Sequence, residues 1–211
     1  MNVYFLLLLV MALLLYKGII STLFYSPRKI KIISILALVL MTFRWIALMI
    51  LFIIKNQNYL YLLKPLVFTN LICIPVCGIL SVFIFSRNNK IKLKRLFLWC
   101  IILFVAYFIV IYKSTVNINI SNYCGYTMKL QLESYCYIIL LIINLIFAIK
   151  GIKLYSVIYS SKPGAVLIII SASITLLSVI LTSINSDFPW LLLGDISWLA
   201  TMDYGLSKFK R

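Results

Sequence analysis

Residues 32–54 read IISILALVLMTFRWIALMILFII, and this stretch decides the fold. Its one charged residue is Arg44. The hydrocarbon core of a bilayer requires about 20 apolar residues in a helix. Inside lipid every backbone N–H and C=O group needs a partner within the segment, which a helix provides. The stretch therefore predicts a transmembrane helix with an arginine near its middle.

Six further apolar runs accompany this helix along the 211-residue chain. The seven predicted helices cover residues 3–22, 32–54, 65–86, 96–112, 135–149, 164–183 and 189–205. The run 135–149 is the shortest, so six helices is the alternative count. The fold predicted for residues 1–211 is a single all-α integral membrane domain, a bundle of about seven transmembrane helices. We predict no soluble domain.

The composition points to lipid as the surrounding medium. Hydrophobic residues make up 64% of the chain and charged residues 11%, whereas soluble domains are about 45–50% apolar and about 25% charged. The net charge of +16 would suggest nucleic acid in a soluble protein. Here the basic residues lie between apolar runs, where they meet anionic lipid headgroups. We therefore predict the bilayer as a partner and no nucleic acid.

The basic residues fall mainly on one side of the predicted bundle, which fixes its orientation. One set of alternate loops and ends holds fifteen of them and the opposite loops hold four. The larger set is Lys17, Arg28, Lys29, Lys31, Arg87, Lys90, Lys92, Lys94, Arg95, Lys150, Lys153, Lys162, Lys208, Lys210 and Arg211. The smaller set is Lys55, Lys64, Lys113 and Lys129. The bias predicts an outside N-terminus and a cytoplasmic C-terminus.

Arg44 is the candidate site residue with the clearest physical requirement. An arginine at mid-membrane costs at least about 2.5–3.5 kcal/mol, so it should face the bundle and have a partner. Asp195, about six residues into the last predicted helix, is the natural candidate. A pair between Arg44 and Asp195 would be either a fixed structural link or a polar site for an anionic ligand. The remaining alternative is that the two residues do not meet.

The other acidic residues indicate ordinary surface roles rather than a buried site. Asp203 lies near the inner end of the last run, where we expect a local salt bridge with Lys208 or Lys210. Asp187 and Glu133 are predicted to be solvated in outer loops.

Four cysteines and a proline stand out. Cys124 and Cys136 flank the one sizeable outer loop, 113–134, and either form a disulfide there or remain free. Cys73 and Cys77 lie one helical turn apart around Pro75, where we expect a kink. We interpret these two thiols as small apolar residues rather than metal ligands.

No residue pattern in the sequence indicates catalysis. The chain has no histidine, and it contains no nucleotide-binding, metalloprotease or serine-hydrolase motif. We therefore expect no enzyme activity, no cofactor and no metal.

Seven short-looped helices in this orientation resemble the N-terminal seven-transmembrane sensing region of bacterial histidine kinases and related signalling proteins. The likeness rests on residues 70–75 (NLICIP), on 85–87 (FSR) and on the acidic segment 187–195. It implies a sensing role and a location in the bacterial inner membrane. In that family the last helix leads into a cytoplasmic output domain, whereas this sequence ends at Arg211. A protein partner with a cytoplasmic domain is therefore expected.

Three functions follow from these observations. The first is a receptor-like or accessory subunit that binds a ligand or partner without catalysis of its own. The second is a small transporter, or the membrane subunit of one, with Arg44 and Asp195 in the transport path. The third is a membrane-embedded immunity or resistance protein.

Overall fold

The computed structural model describes residues 2–53, 60–86, 93–121, 124–184 and 188–209. Helices dominate it, because apolar segments satisfy their backbone groups internally. The helices are α1 (Asn2–Tyr25), α2 (Arg28–Ile53), α3 (Lys64–Val67), α4 (Asn70–Ser86), α5 (Leu93–Lys113), α6 (Glu133–Ser156), α7 (Lys162–Ile184) and α8 (Leu191–Ser207). A 3-10 turn at Leu60–Leu63 precedes α3. A hairpin of β1 (Val116–Ser121) and β2 (Gly125–Leu130) lies between α5 and α6.

Within these ranges, five helical segments are long and apolar enough to cross a membrane. They are Val3–Tyr25, Ile30–Ile53, Leu60–Ser86, Glu133–Ser156 and Lys162–Ile184. The apolar part of α5, Phe97–Lys113, is shorter, and α8 has 17 residues. The chain is thus a helical membrane protein, while seven spans and their orientation stay predictions.

The helix predicted to be shortest is among the longest. α6 has 24 residues and includes Lys150 and Lys153, which the sequence had placed in a loop. Lys17 lies within α1, as it does within the predicted run 3–22, although it was counted with the basic residues of the loops. A lysine continues a helix near the membrane surface because its aliphatic stem packs on apolar neighbours while its ammonium reaches water. α6 is therefore one of the five segments long enough to cross a membrane, while the choice between six and seven spans stays a prediction.

The third predicted helix is interrupted. In place of one helix over 65–86, α3 ends at Val67 and α4 begins at Asn70. The Thr69 hydroxyl donates a hydrogen bond to the Leu66 carbonyl over 2.9 Å, and Asn70 is buried. Pro75 lies inside α4. The interruption leaves the Val67 carbonyl outside a continuous helical ladder and free to accept a side-chain donor.

The predicted outer loop contains a β-hairpin. β1 and β2 pair antiparallel, with Ile118 opposite Met128. Met128 and Leu130 are buried against the helices, while most of β1 faces outward. Gly125 begins β2 with a φ of 73°, and a Cβ there would lie 3.0 Å from the Leu51 carbonyl oxygen of α2. Glycine suits this position because it adopts positive φ and allows the close approach. The hairpin therefore covers one end of the bundle, called the hairpin end below.

Asn144 connects α6, α7 and α8 inside the bundle. Its side-chain oxygen accepts hydrogen bonds from the Thr175 hydroxyl, at 2.7 Å, and from the Trp198 indole nitrogen, at 3.2 Å. Its amide nitrogen donates to the Leu140 carbonyl over 2.8 Å. Trp198 is fully buried, with its ring 5.3 Å from that of Phe147.

Asn144→Ala is expected to lower the free energy of unfolding by about 1–3 kcal/mol, because the buried Trp198 N–H group loses its acceptor. Thermal denaturation in mild detergent measures this effect. Ser173→Ala is the matched control, since the exposed Ser173 hydroxyl bonds only to Ile169 of its own helix. Equal stability of the two variants would contradict the role given to Asn144.

Candidate functional site

The structure brings Arg44 of α2 and Asp195 of α8 together inside the bundle. The Arg44 Nε donates a hydrogen bond to Asp195 Oδ2 over 2.8 Å, and the two groups form a salt bridge. Arg44 is 5% exposed and Asp195 is fully buried. Positions 151 residues apart are thus joined by one charged contact.

The Val67 carbonyl is the second partner of Arg44. It accepts a hydrogen bond from the guanidinium Nη1, at the point where α3 ends. Two contacts with the C-terminal end of α5 hold this segment in place. The Lys64 ammonium donates to the Ser114 carbonyl over 2.5 Å, and the Tyr107 hydroxyl donates to the Pro65 carbonyl. The guanidinium is therefore positioned by α8 on one side and by the interrupted third helix on the other.

Among the described residues, the hydrogen-bonding capacity of both charged groups at this site is only partly used. Asp195 Oδ1 is buried and has no hydrogen-bond partner among the described residues. Arg44 uses Nε and Nη1 of a group that carries five N–H donors. A buried ion pair with spare donors and acceptors can exchange partners at lower cost than one that is fully satisfied.

A cavity of about 90 Å³ extends from Arg44 to the hairpin. Its walls include Tyr4 of α1, Met128 of β2, Tyr137 of α6 and Phe188 beside α8. One enclosed water requires about 10–15 Å³ of such volume, so the cavity has room for several waters or a small ligand group. Aromatic walls around a few polar and charged groups are typical of a small-molecule site.

Glu133 also borders this cavity. The sequence predicted it to be solvated in an outer loop, and this was wrong. Glu133 is the first residue of α6, it is half-buried, and it accepts a hydrogen bond from the Tyr137 hydroxyl one turn later. A carboxylate is favoured at this position because the first turn of a helix carries unpaired N–H groups and partial positive charge.

Cys124 and Cys136 line the same cavity. Both are free thiols in the structure, and the disulfide between them stays a prediction. Burial raises the pKa of the Cys124 thiol to about 12. This thiol is therefore protonated at neutral pH and is a poor nucleophile.

Asp203 forms no salt bridge with Lys208, and its pairing with Lys210 stays a prediction. It is 3% exposed, and neither carboxylate oxygen has a hydrogen-bond partner within the described ranges. Its Oδ1 lies where α1 approaches closely, 2.5 Å from the position of a Cβ built on Gly18. Lys208, one of the expected partners, instead places its ammonium 5.0 Å from the centroid of the Tyr204 ring. Lys210, the other, lies outside the described residues, as does Asp187.

Cys73 and Cys77 are buried in α4, beside Pro75. Across the described ranges, no group of three or more Cys, Asp or Glu side chains is placed to hold a metal ion.

The Val67 carbonyl and the Tyr137 hydroxyl were not predicted from the sequence. The polar pair Thr69–Asn70 inside an apolar run was a usable signal for the interruption that exposes Val67. No comparable signal marks Tyr137, because aromatic residues near helix ends usually serve as membrane-surface anchors.

The fold and the site together define the chain as a helical membrane protein with a buried ion pair beneath a hairpin-covered cavity. No known protein family matches this sequence, and no curated protein matches it.

Proposed function

We propose that the chain is a receptor-like or accessory protein of the cell membrane, which binds a ligand at its hairpin end and has no catalysis of its own. In this proposal seven helices cross the bilayer, with the N-terminus outside and the C-terminus in the cytoplasm. The observation that carries it is the cavity that leads from the hairpin to the buried Arg44 guanidinium.

The cavity favours a small anionic ligand. A carboxylate or similar group entering it would meet Arg44 and compete with Asp195 for the guanidinium. Such competition is effective because charge-assisted hydrogen bonds strengthen in a dry site. Arg44 and Asp195 belong to different helices, so a ligand that separates them alters the contact between α2 and α8.

α8 is suited to carry this change across the membrane. It begins next to the cavity, ends at Ser207 near the opposite end of the bundle, and packs against α1, α4 and α7. At 1.5 Å per residue its 17 residues span about 26 Å. A protein partner with a cytoplasmic domain would sense the position of its far end.

A small transporter is the second candidate, and Asp203 favours it. A buried carboxylate without a partner is the residue type that binds a coupling proton or cation in transporters. Asp195 and Asp203 are eight residues apart on α8, which places them about 12 Å apart along the helix axis.

Affinity purification from native membranes in mild detergent, followed by mass spectrometry, tests the receptor-like function. We expect a stable partner with a soluble output domain to co-purify with the wild-type chain, and Arg44→Ala to abolish this. Arg28→Ala is the matched control, because Arg28 lies on the same helix at the end opposite the hairpin. It should retain the partner.

Two results would oppose the proposal. One is the absence of any co-purified partner combined with solute uptake by the purified chain in proteoliposomes, which would assign the transporter function. The other is equal loss of the partner in the Arg28 and Arg44 variants, which would separate the interaction from the cavity.

A further inference from the structure

An apolar groove of about 340 Å³ lies between α4, α5 and α6, away from the Arg44 cavity. Its apolar lining includes Ile79 and Phe83 of α4, Leu103 of α5 and Phe147 of α6. The two residues with polar atoms at its edge are Trp99 and Lys150. Both are exposed, so the groove opens on the outer surface of the bundle.

The packing of three helices creates this groove. α5 packs mainly against α4 and leaves its side toward α6 uncovered. Gly78 allows the Phe147 ring to lie directly on the α4 backbone, where a Cβ would overlap it. Phe147 thus forms the floor, and α5 and α6 form the walls.

The two polar edges lie at the same level of the bundle. Trp99 is six residues after the start of α5, and Lys150 is six residues before the end of α6. Both positions are at the end opposite the hairpin, about 9 Å from the helix terminus. From Lys150 to Ile143 the groove follows α6 toward mid-membrane for about 10 Å. It is therefore basic at the membrane surface and wholly apolar within.

We propose that this groove binds one anionic phospholipid of the leaflet opposite the hairpin. One acyl chain lies over Phe147 between α5 and α6, and the phosphate pairs with the Lys150 ammonium. The Trp99 indole sits at headgroup depth, where amphipathic rings are favoured. An anionic lipid fits better than a zwitterionic one because Lys150, a cation, is the only charged group among the described residues that line the groove. The proposal is independent of the receptor-like function.

Native mass spectrometry of delipidated protein with phosphatidylglycerol or phosphatidylcholine tests this site. We expect wild-type protein to retain phosphatidylglycerol preferentially, and Lys150→Gln to reduce that preference about fivefold. Lys153→Gln is the matched control, because Lys153 is an exposed lysine one turn further along α6 and does not line the groove. It should behave as wild type.

A second variant tests the apolar part of the site. Ile79→Trp fills the groove and is expected to abolish retention of both lipids, while Lys150→Gln affects only the anionic one. Equal effects of the Lys150 and Lys153 variants would overturn the proposal by showing a diffuse surface charge effect. Undiminished lipid retention by folded Ile79→Trp protein would overturn it as well.

Discussion

Asp195→Leu is expected to lower the free energy of unfolding by about 3–5 kcal/mol, because it leaves the Arg44 guanidinium buried without a counter-charge. The expected loss is large since Arg44 is only 5% exposed and the Val67 carbonyl alone cannot balance its charge. Unfolding by SDS titration in mixed micelles, followed by circular dichroism, gives the measurement. Ser197→Ala on the same helix is the control, since its hydroxyl bonds only to the Gly194 carbonyl.

The double variant Arg44→Met/Asp195→Leu distinguishes a coupled pair from two independent sites. Replacing both members of a buried ion pair with apolar residues of similar volume is often neutral or stabilising. We therefore expect the double variant to recover most of the stability that Asp195→Leu loses. Losses that simply add would show that the two charges are not coupled. If the double variant is stable yet loses its co-purified partner, the pair serves function rather than folding.

Asp203→Asn is expected to have the opposite effect on stability and to raise the free energy of unfolding by about 1–3 kcal/mol. A neutral amide costs less to bury than a carboxylate, and neither oxygen of Asp203 has a hydrogen bond to the described part of the chain that the change would break. The same titration measures it, with Asp195→Asn as a destabilising comparison on the same helix.

Lys17 provides the control for this prediction. Lys17 precedes Gly18 on α1, and its positive charge acts favourably on the Asp203 carboxylate. Lys17→Gln should therefore lower stability slightly in the wild-type background and have no effect in the Asp203→Asn background.

A destabilising effect of Asp203→Asn would mean that the charge of the carboxylate is compensated in the membrane. Increased stability with loss of solute uptake would instead support the transporter candidate.

The ion pair was predictable because the bilayer restricts the choices. An arginine amid 22 uncharged residues needs a partner, and the chain has four acidic residues from which to select one. Asp195 was the candidate because it lies about six residues inside the last predicted helix, whereas Asp203 lies near the inner end of that helix. The Thr69–Asn70 pair signalled the interruption, but it did not identify the acceptor of Arg44, since every residue carries a carbonyl.

The sequence of the hairpin contains a pattern that indicates a strand, but its polar residues favoured the prediction of a loop. Residues 116–121 read VNINIS, an alternation of apolar and polar residues that is typical of a half-exposed strand. The asparagines and serines favoured a loop, and a two-stranded hairpin is only marginally stable alone. It forms here because Met128 and Leu130 pack against the helices, a tertiary contact that no local pattern reveals.

The interruption between α3 and α4 also bears on how the protein is made. Arg44 enters the membrane long before Asp195 exists, because 151 residues separate them and synthesis proceeds at about 5–20 residues per second. The Val67 carbonyl follows Arg44 by only 23 residues and is the earlier of its two partners to emerge from the ribosome. We expect the third helix to shelter the arginine during this interval. Chains that stall before α8 would retain an unneutralised charge in lipid, a feature by which membrane proteases can select incomplete products.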